Sequence, residues 1–264
     1  MTGRTLEGAV ALITGAGPGI GRATALALAE DGADIVVAAR RAEPLTALAE
    51  EIALSTGRRC IAVTTDIADL AQCRAAITQT VAELGRLDVV VNVATHGGSP
   101  AASVADIDWG DYRETMQVNV IGTMEICRVA AAHMSTIGGG SIVNISALSA
   151  TTLMPDMARY TSTKGAMESM SKTMAKEVGP AGVRINIVTP GMTTGPPLDA
   201  LFERMAEARG KTPEEVSMSF ARAAALRRHV DPEDIAEAVL FLASARARSI
   251  TGQEIQVTAG QHIL

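Results

Sequence analysis

The run Val10–Thr14 is short, apolar and β-branched, and it breaks directly into a turn reading TGAGPGIG before alanines and leucines recur at helical spacing over Ile20–Glu30. Strand, glycine turn and helix therefore follow one another without a linker. The glycines fall as T-G-x-x-x-G-x-G through Thr14, Gly15, Gly19 and Gly21, with Gly17 between them, not as G-x-G-x-x-G. Glycine tolerates positive φ and lets backbone amides approach an anion, while a helix starting near Ile20 aims its positive end at the same point. A diphosphate is the expected guest; an ordinary glycine-rich turn is the alternative.

The strand-then-helix unit repeats along the chain. Further strands are expected at 35–39, Cys60–Thr64, 87–93, 141–146, 183–188 and 255–257, and helices at 42–54, Leu70–Leu84 and 109–134. The last of these is interrupted near Asn119, a polar side chain set among Val118, Val120 and Ile121 that needs partners if buried. This order predicts an α/β fold: one doubly wound parallel sheet of about seven strands with helices on both faces. With 264 residues and 47% apolar content, a single domain over residues 1–264 is expected, with no internal repeat. The segment 192–228, entered through TPGMTTGPP and carrying Met205, Met218 and Phe220, is the expected substrate lid. A plain surface helical hairpin is its alternative.

Composition excludes several functions. A net charge of -6 without a run of Lys or Arg argues against nucleic acid as a partner. The three cysteines, Cys60, Cys73 and Cys127, lack C-x-x-C spacing and nearby histidines, so no metal is expected and a reducing cytoplasm is. Neither a signal peptide nor a membrane span is expected from the N-terminal segment.

In a doubly wound fold the residue closing the second strand faces the adenosine ribose, where Asp or Glu would bind a free 2'-hydroxyl. Here Ala39 stands at that place, followed by Arg40 and Arg41, which suit a 2'-phosphate. NADP(H) is therefore preferred and NAD(H) allowed, with two solvated arginines as the alternative. Asp66, with Ile67 beside it, closes the third strand as an acceptor for an adenine amino group or as a helix-flanking cap. The loop THGGSP after the fourth strand leaves room for a ligand, and its His96 reads as solvated.

Tyr160 and Lys164 lie four positions apart in a predicted helix and share one face, flanked by small Thr161, Ser162, Thr163, Gly165 and Ala166. A nearby cation stabilises a phenolate, which makes this pair a candidate general acid or base. A tyrosine packed at a helix edge is the alternative.

Taken together, TGAGPGIG, Asp66, Asn119, the strand SIVNIS, Tyr160 with Lys164 and the pair Pro190, Gly191 resemble the short-chain dehydrogenase/reductase family over essentially the whole chain. The resemblance implies that Tyr160 is the acid/base, that Lys164 lowers its pKa and binds nicotinamide ribose, and that Asn119 holds a water in a proton relay. It further implies cofactor contacts at Gly15, Gly17, Gly19, Ile20, Gly21, Arg40, Arg41, Asp66, Ile67, Asn92, Ala94, Tyr160, Lys164, Pro190, Gly191 and Thr193. The expected reaction interconverts a small carbonyl compound and an alcohol, in a homodimer or homotetramer formed through the helices of Met116 and Met170.

Two departures qualify it. N-N-A-G after the fourth strand is replaced by Asn92, Val93, Ala94, Thr95, and the family's serine thirteen positions before the tyrosine is replaced by Ala147. Ser146 is the expected stand-in, with Ser149 as the other hydroxyl in reach. A dinucleotide-binding protein with weak or no catalysis, a sensor or partner subunit, is the rival reading.

Overall fold

A computed structural model describes residues 4–97 and 102–263; residues 98–101, in the loop where ligand space was expected, lie outside the described residues. Seven parallel strands form one sheet in the order β3-β2-β1-β4-β5-β6-β7. They are β1 (Val10–Thr14), β2 (Asp34–Ala39), β3 (Cys60–Thr64), β4 (Val89–Asn92), β5 (Gly140–Ile145), β6 (Val183–Pro190) and β7 (Glu254–Val257).

The inner strands β1, β2, β4, β5 and β6 are covered on both sides, and alternate side chains go to opposite layers. Ala11 and Ile13 of β1 join the core under α1 (Ile20–Glu30), α2 (Ala42–Thr56) and α10 (Pro232–Ala243). Val10 and Leu12 join the core under α3 (Leu70–Leu84), α5 (Thr123–Thr136) and α7 (Ala158–Val178). Burial of both layers explains why the strands read as continuous apolar runs.

The strand order reverses direction between β1 and β4, whose ends pair at Thr14 and Asn92. A crevice opens at such a switch point beyond the carboxyl ends of the strands. There the chain adds α4 (Trp109–Met116), a π-helical turn at Gln117–Gly122, the short α6 (Ser149–Thr152), and the pair α8 (Pro196–Arg209) and α9 (Pro213–Ala223).

The prolines of TPGMTTGPP sit at element boundaries: β6 continues through Pro190 and α8 begins at Pro196. Proline is tolerated at a strand end and at the first helical position, where no donor is missed. The interruption expected near Asn119 is a π-helical turn at Gln117–Gly122 inside a continuous helical path.

Candidate active site

The crevice holds two adjoining cavities. One, of about 510 Å³, is lined by Gly15, Gly17, Ala39, Arg40, Arg41, Asp66, Ile67, Ala94, Thr95 and neighbours. The other, of about 450 Å³, is lined by Gly19, Ile20, Gly21, Ser146 to Ser149, Thr95, Tyr160, Lys164, Pro190, Gly191 and Thr193 among others. All of the expected cofactor residues except Asn92 thus face this connected space.

The glycine turn shows which glycines serve the fold and which face open space. A Cβ on Gly15, at φ 71°, would lie 2.3 Å from Ala94 N, and one on Gly21 would lie 2.4 Å from the Gly15 carbonyl oxygen. At Gly17 and Gly19 a Cβ would meet nothing within 4 Å. That is a cradle of the form a diphosphate needs: backbone packed tightly behind, open in front, at the start of α1. Gly191 is again forced by packing, with Thr258 Cα 2.8 Å from a built Cβ.

Arg40 and Arg41 are exposed, and neither guanidinium has an ion-pair partner among the described residues. Asp66 accepts from Ala68 N at 2.9 Å, so it caps its own turn while lining the cavity. Asn92 has gone elsewhere. Its amide accepts from Thr14 Oγ1 at 3.0 Å and donates to Asn144 Oδ1 at 2.8 Å, inside the sheet. Asn144 in turn donates to Ser171 Oγ of α7 at 2.8 Å. This buried chain of amides ties the tyrosine-bearing helix to the strands.

On α7, Lys164 is 3% exposed and donates from Nζ to the Ile145 carbonyl oxygen at 2.9 Å. Burial pulls its pKa down to about 8, partly opposed by the charge of Glu168. The ammonium lies 5.8 Å from the centre of the Tyr160 ring. The Tyr160 phenol is pushed above its ordinary value by burial, while a hydrogen bond with Thr95 works the other way. Desolvation of the phenolate is the larger of these two effects.

Asn119 is 1% exposed and fully partnered. Its Oδ1 accepts from His96 N at 2.7 Å and Thr95 Oγ1 at 3.2 Å; its Nδ2 donates to His96 O and Thr163 Oγ1, both at 3.0 Å. The amide therefore fastens the loop after β4 to α7. Lone His96 takes part through its backbone.

The two candidate hydroxyls differ in their partners. The Ser146 hydroxyl donates to Glu168 Oε1 in a buried pair. The Ser149 Oγ, by contrast, is buried and unpartnered among the described residues, in a residue that lines the Tyr160 cavity. Glu168 was missed in the sequence although it continues the face of Tyr160 and Lys164 by one more helical turn. Burial raises its pKa, and the Ser146 hydrogen bond opposes that.

A family model described as enoyl-(acyl carrier protein) reductase matches residues 15–262. A short chain dehydrogenase/reductase of Aspergillus oryzae is 34% identical over 262 residues, covering 98% of this chain and 97% of its own. Among solved structures, a xylitol dehydrogenase bound to NAD+ aligns with TM-score 0.91 at 26% identity over 97% of this chain and 99% of that one. L-sorbose reductase from Gluconobacter frateurii, in complex with NADPH and L-sorbose, aligns with TM-score 0.93 at 28% identity over 100% of both chains. The chain belongs to the short-chain dehydrogenase/reductase family of nicotinamide-dependent oxidoreductases.

Proposed function

We propose that this protein interconverts a small uncharged ketone and the corresponding secondary alcohol with NADP(H) as the preferred coenzyme, Tyr160 serving as general acid/base. The carrying observation is that Tyr160 and Lys164 share one cavity with the open glycine turn. When bound, the coenzyme supplies or accepts hydride at its nicotinamide.

The chain itself handles position and protons. Gly17, Gly19 and Gly21 with the start of α1 would hold the diphosphate, Arg40 and Arg41 a 2'-phosphate, and the backbone from Pro190 to Thr193 the nicotinamide end. With its pKa raised by burial, Tyr160 rests as a phenol and donates to a ketone oxygen in the reductive direction. Lys164 supplies positive charge beneath the ring as that proton leaves. Ser149 takes the place left by Ala147: a turn about χ1 would point its unpartnered hydroxyl at the substrate oxygen.

The remaining wall residues Leu148, Thr152, Met154, Met192 and Pro197 carry no charge, which favours an uncharged substrate. Helices α8 and α9 above them are proposed as the lid. The exposed apolar side chains Trp109, Ile121 and Met170 on α4, the π-turn and α7 support a homodimer or homotetramer, and the unpaired thiols support a cytoplasmic setting. No helix among the described residues is long and apolar enough to cross a membrane.

Ala147 is the specific observation favouring the rival reading, a dinucleotide binder with little turnover. Following NADPH and NADH oxidation with small ketones and ketoses, and with an enoyl thioester as the contrasting acceptor, tests both. Ketone turnover that disappears in Tyr160→Phe upholds the proposal. Coenzyme binding without any turnover supports the rival, and consumption of the enoyl thioester alone would reassign the reaction to a carbon–carbon double bond.

A further inference from the structure

The turn after β6 is held largely by backbone pairing. Gly191 N donates to Val257 O at 2.8 Å, Met192 O accepts from Val230 N at 3.0 Å, and Thr194 N donates to Val230 O at 2.9 Å. Met192 N is satisfied differently. β7 ends at Val257, and this donor is met by a side chain: Gln261 Oε1 accepts from Met192 N at 2.8 Å.

The chain bends sharply to deliver that side chain. Ala259 and Gly260 take φ of 52° and 75°, two left-handed residues in a row, and Gln261 N closes the bend on Thr258 O at 3.0 Å. Left-handed backbone is unfavourable at an alanine and persists where surrounding contacts hold it. Those contacts come from the segment leaving α9: Leu226 N donates to Ala259 O at 2.9 Å and Ala225 N to Gly260 O at 3.3 Å. A Cβ on Gly260 would lie 2.5 Å from Ala225 Cβ, and one on Gly191 would lie 2.6 Å from Gln261 Oε1. The turn, the bend and the amide are therefore packed in contact.

We propose that Gln261 is a positioning residue for the nicotinamide end of the coenzyme: its amide oxygen fixes the Met192 N–H, and with it the Gly191–Thr193 backbone, at the wall of the Tyr160 cavity. This rests on the reading of that backbone as the nicotinamide site. Gly191, Met192 and Thr193 line the cavity together with Tyr160 and Lys164, whereas Gln261 acts through Met192 without lining it. A turn released at this place is free to shift the ring against the Tyr160 oxygen, and near-attack geometry is steeply sensitive to such displacement. Because the bend is anchored on residues that leave α9, the proposed lid and the nicotinamide turn share one support.

Gln261→Leu keeps most of the bulk and removes the acceptor, while Gln261→Glu keeps an oxygen for Met192 N. The fluorescence emission of bound NADPH or NADH reads the surroundings of the nicotinamide with no substrate present, and ADP-ribose, which lacks nicotinamide, reads the rest of the site. The emission change on binding to the parent is expected to be lost in the Leu variant and to return in the Glu variant. Ketone reduction should fall about tenfold in kcat for Leu, the scale of one lost hydrogen bond, and recover in Glu, with the Kd for ADP-ribose unmoved in both. Should the Leu variant not fold, Gln261→Asn, whose shorter side chain withdraws the acceptor from Met192 N, carries the comparison. Parent-like emission and kcat in the Leu variant, a Glu variant that behaves like Leu, or equal weakening of reduced coenzyme and ADP-ribose would overturn the assignment. So would a parent in which neither coenzyme changes its emission. An emission change that vanishes in the Leu variant, in a protein turning over no ketone or alcohol, upholds Gln261 and rejects the activity instead.

Discussion

The two cavities meet along Gly15, Pro18, Val93 and Thr95, yet they are built from different materials. Around Arg40, Arg41 and Asp66 the wall is mostly backbone and small residues held by the sheet, with the glycine turn packed against Ala94. Around Tyr160 the polar groups are side chains, each held by another buried polar group: Lys164 by the Ile145 carbonyl, Ser146 by Glu168, Asn119 by His96 and Thr163. Backbone sites are sensitive to added volume and indifferent to side-chain chemistry. Side-chain sites show the opposite sensitivity.

The sharpest contrast is Tyr160→Phe. Removing one oxygen takes away the proton donor while leaving the ring, so turnover should fall about a thousandfold, within the range for general acid catalysis. Coenzyme affinity, followed by fluorescence titration, should change less than about threefold, because the adenosine cavity is untouched. A parallel loss of affinity would show that the two cavities do not act independently.

On the backbone side, Gly15→Ala and Gly17→Ala separate fold from ligand. At Gly15 an added methyl meets Ala94 N at 2.3 Å on a φ of 71°, with no flexible neighbour to yield. A loss of about 3 kcal/mol and a Tm lower by roughly 10 °C are expected. At Gly17 the same methyl enters open space, so Tm should stay within about 2 °C while the coenzyme Kd rises about tenfold or more. If both variants lose stability equally, the open face of the turn is not a ligand cradle.

A smaller loss is expected at the hydroxyl. Ser149→Ala should lower kcat about a hundredfold, the usual cost of one oxyanion-type donor, and Ala147→Ser in that background should restore most of it. A Ser149→Ala variant with full activity would leave Tyr160 as the sole polarising donor.

This difference in material also explains what could be read from the chain alone. Val10–Thr14 with the glycine turn and Tyr160 with Lys164 were visible because a continuous apolar run and helical spacing are local. The displacement of Asn92 into the sheet was not, since it depends on Asn144 and Ser171, residues distant in sequence that only the strand order brings beside it. The pairing of Ser146 with Glu168 was hidden for a similar reason: Glu168 arrives from α7.

The Arg40 and Arg41 pair carries the smallest effect and tests the cationic part of that wall. Both guanidiniums are exposed, so their attraction for a 2'-phosphate is screened by water and salt. Each should contribute modestly, and the Arg40→Ala, Arg41→Ala double variant should weaken NADPH about tenfold at low ionic strength. NADH, which lacks the phosphate, should bind as before, and the NADPH difference should shrink at high salt because it is electrostatic. Ala39→Asp added to that background places an acceptor at the ribose and an anion where the phosphate would lie, so preference should turn toward NADH. Equal weakening of both coenzymes would mean that the arginines shape the α2 entrance without reading the phosphate.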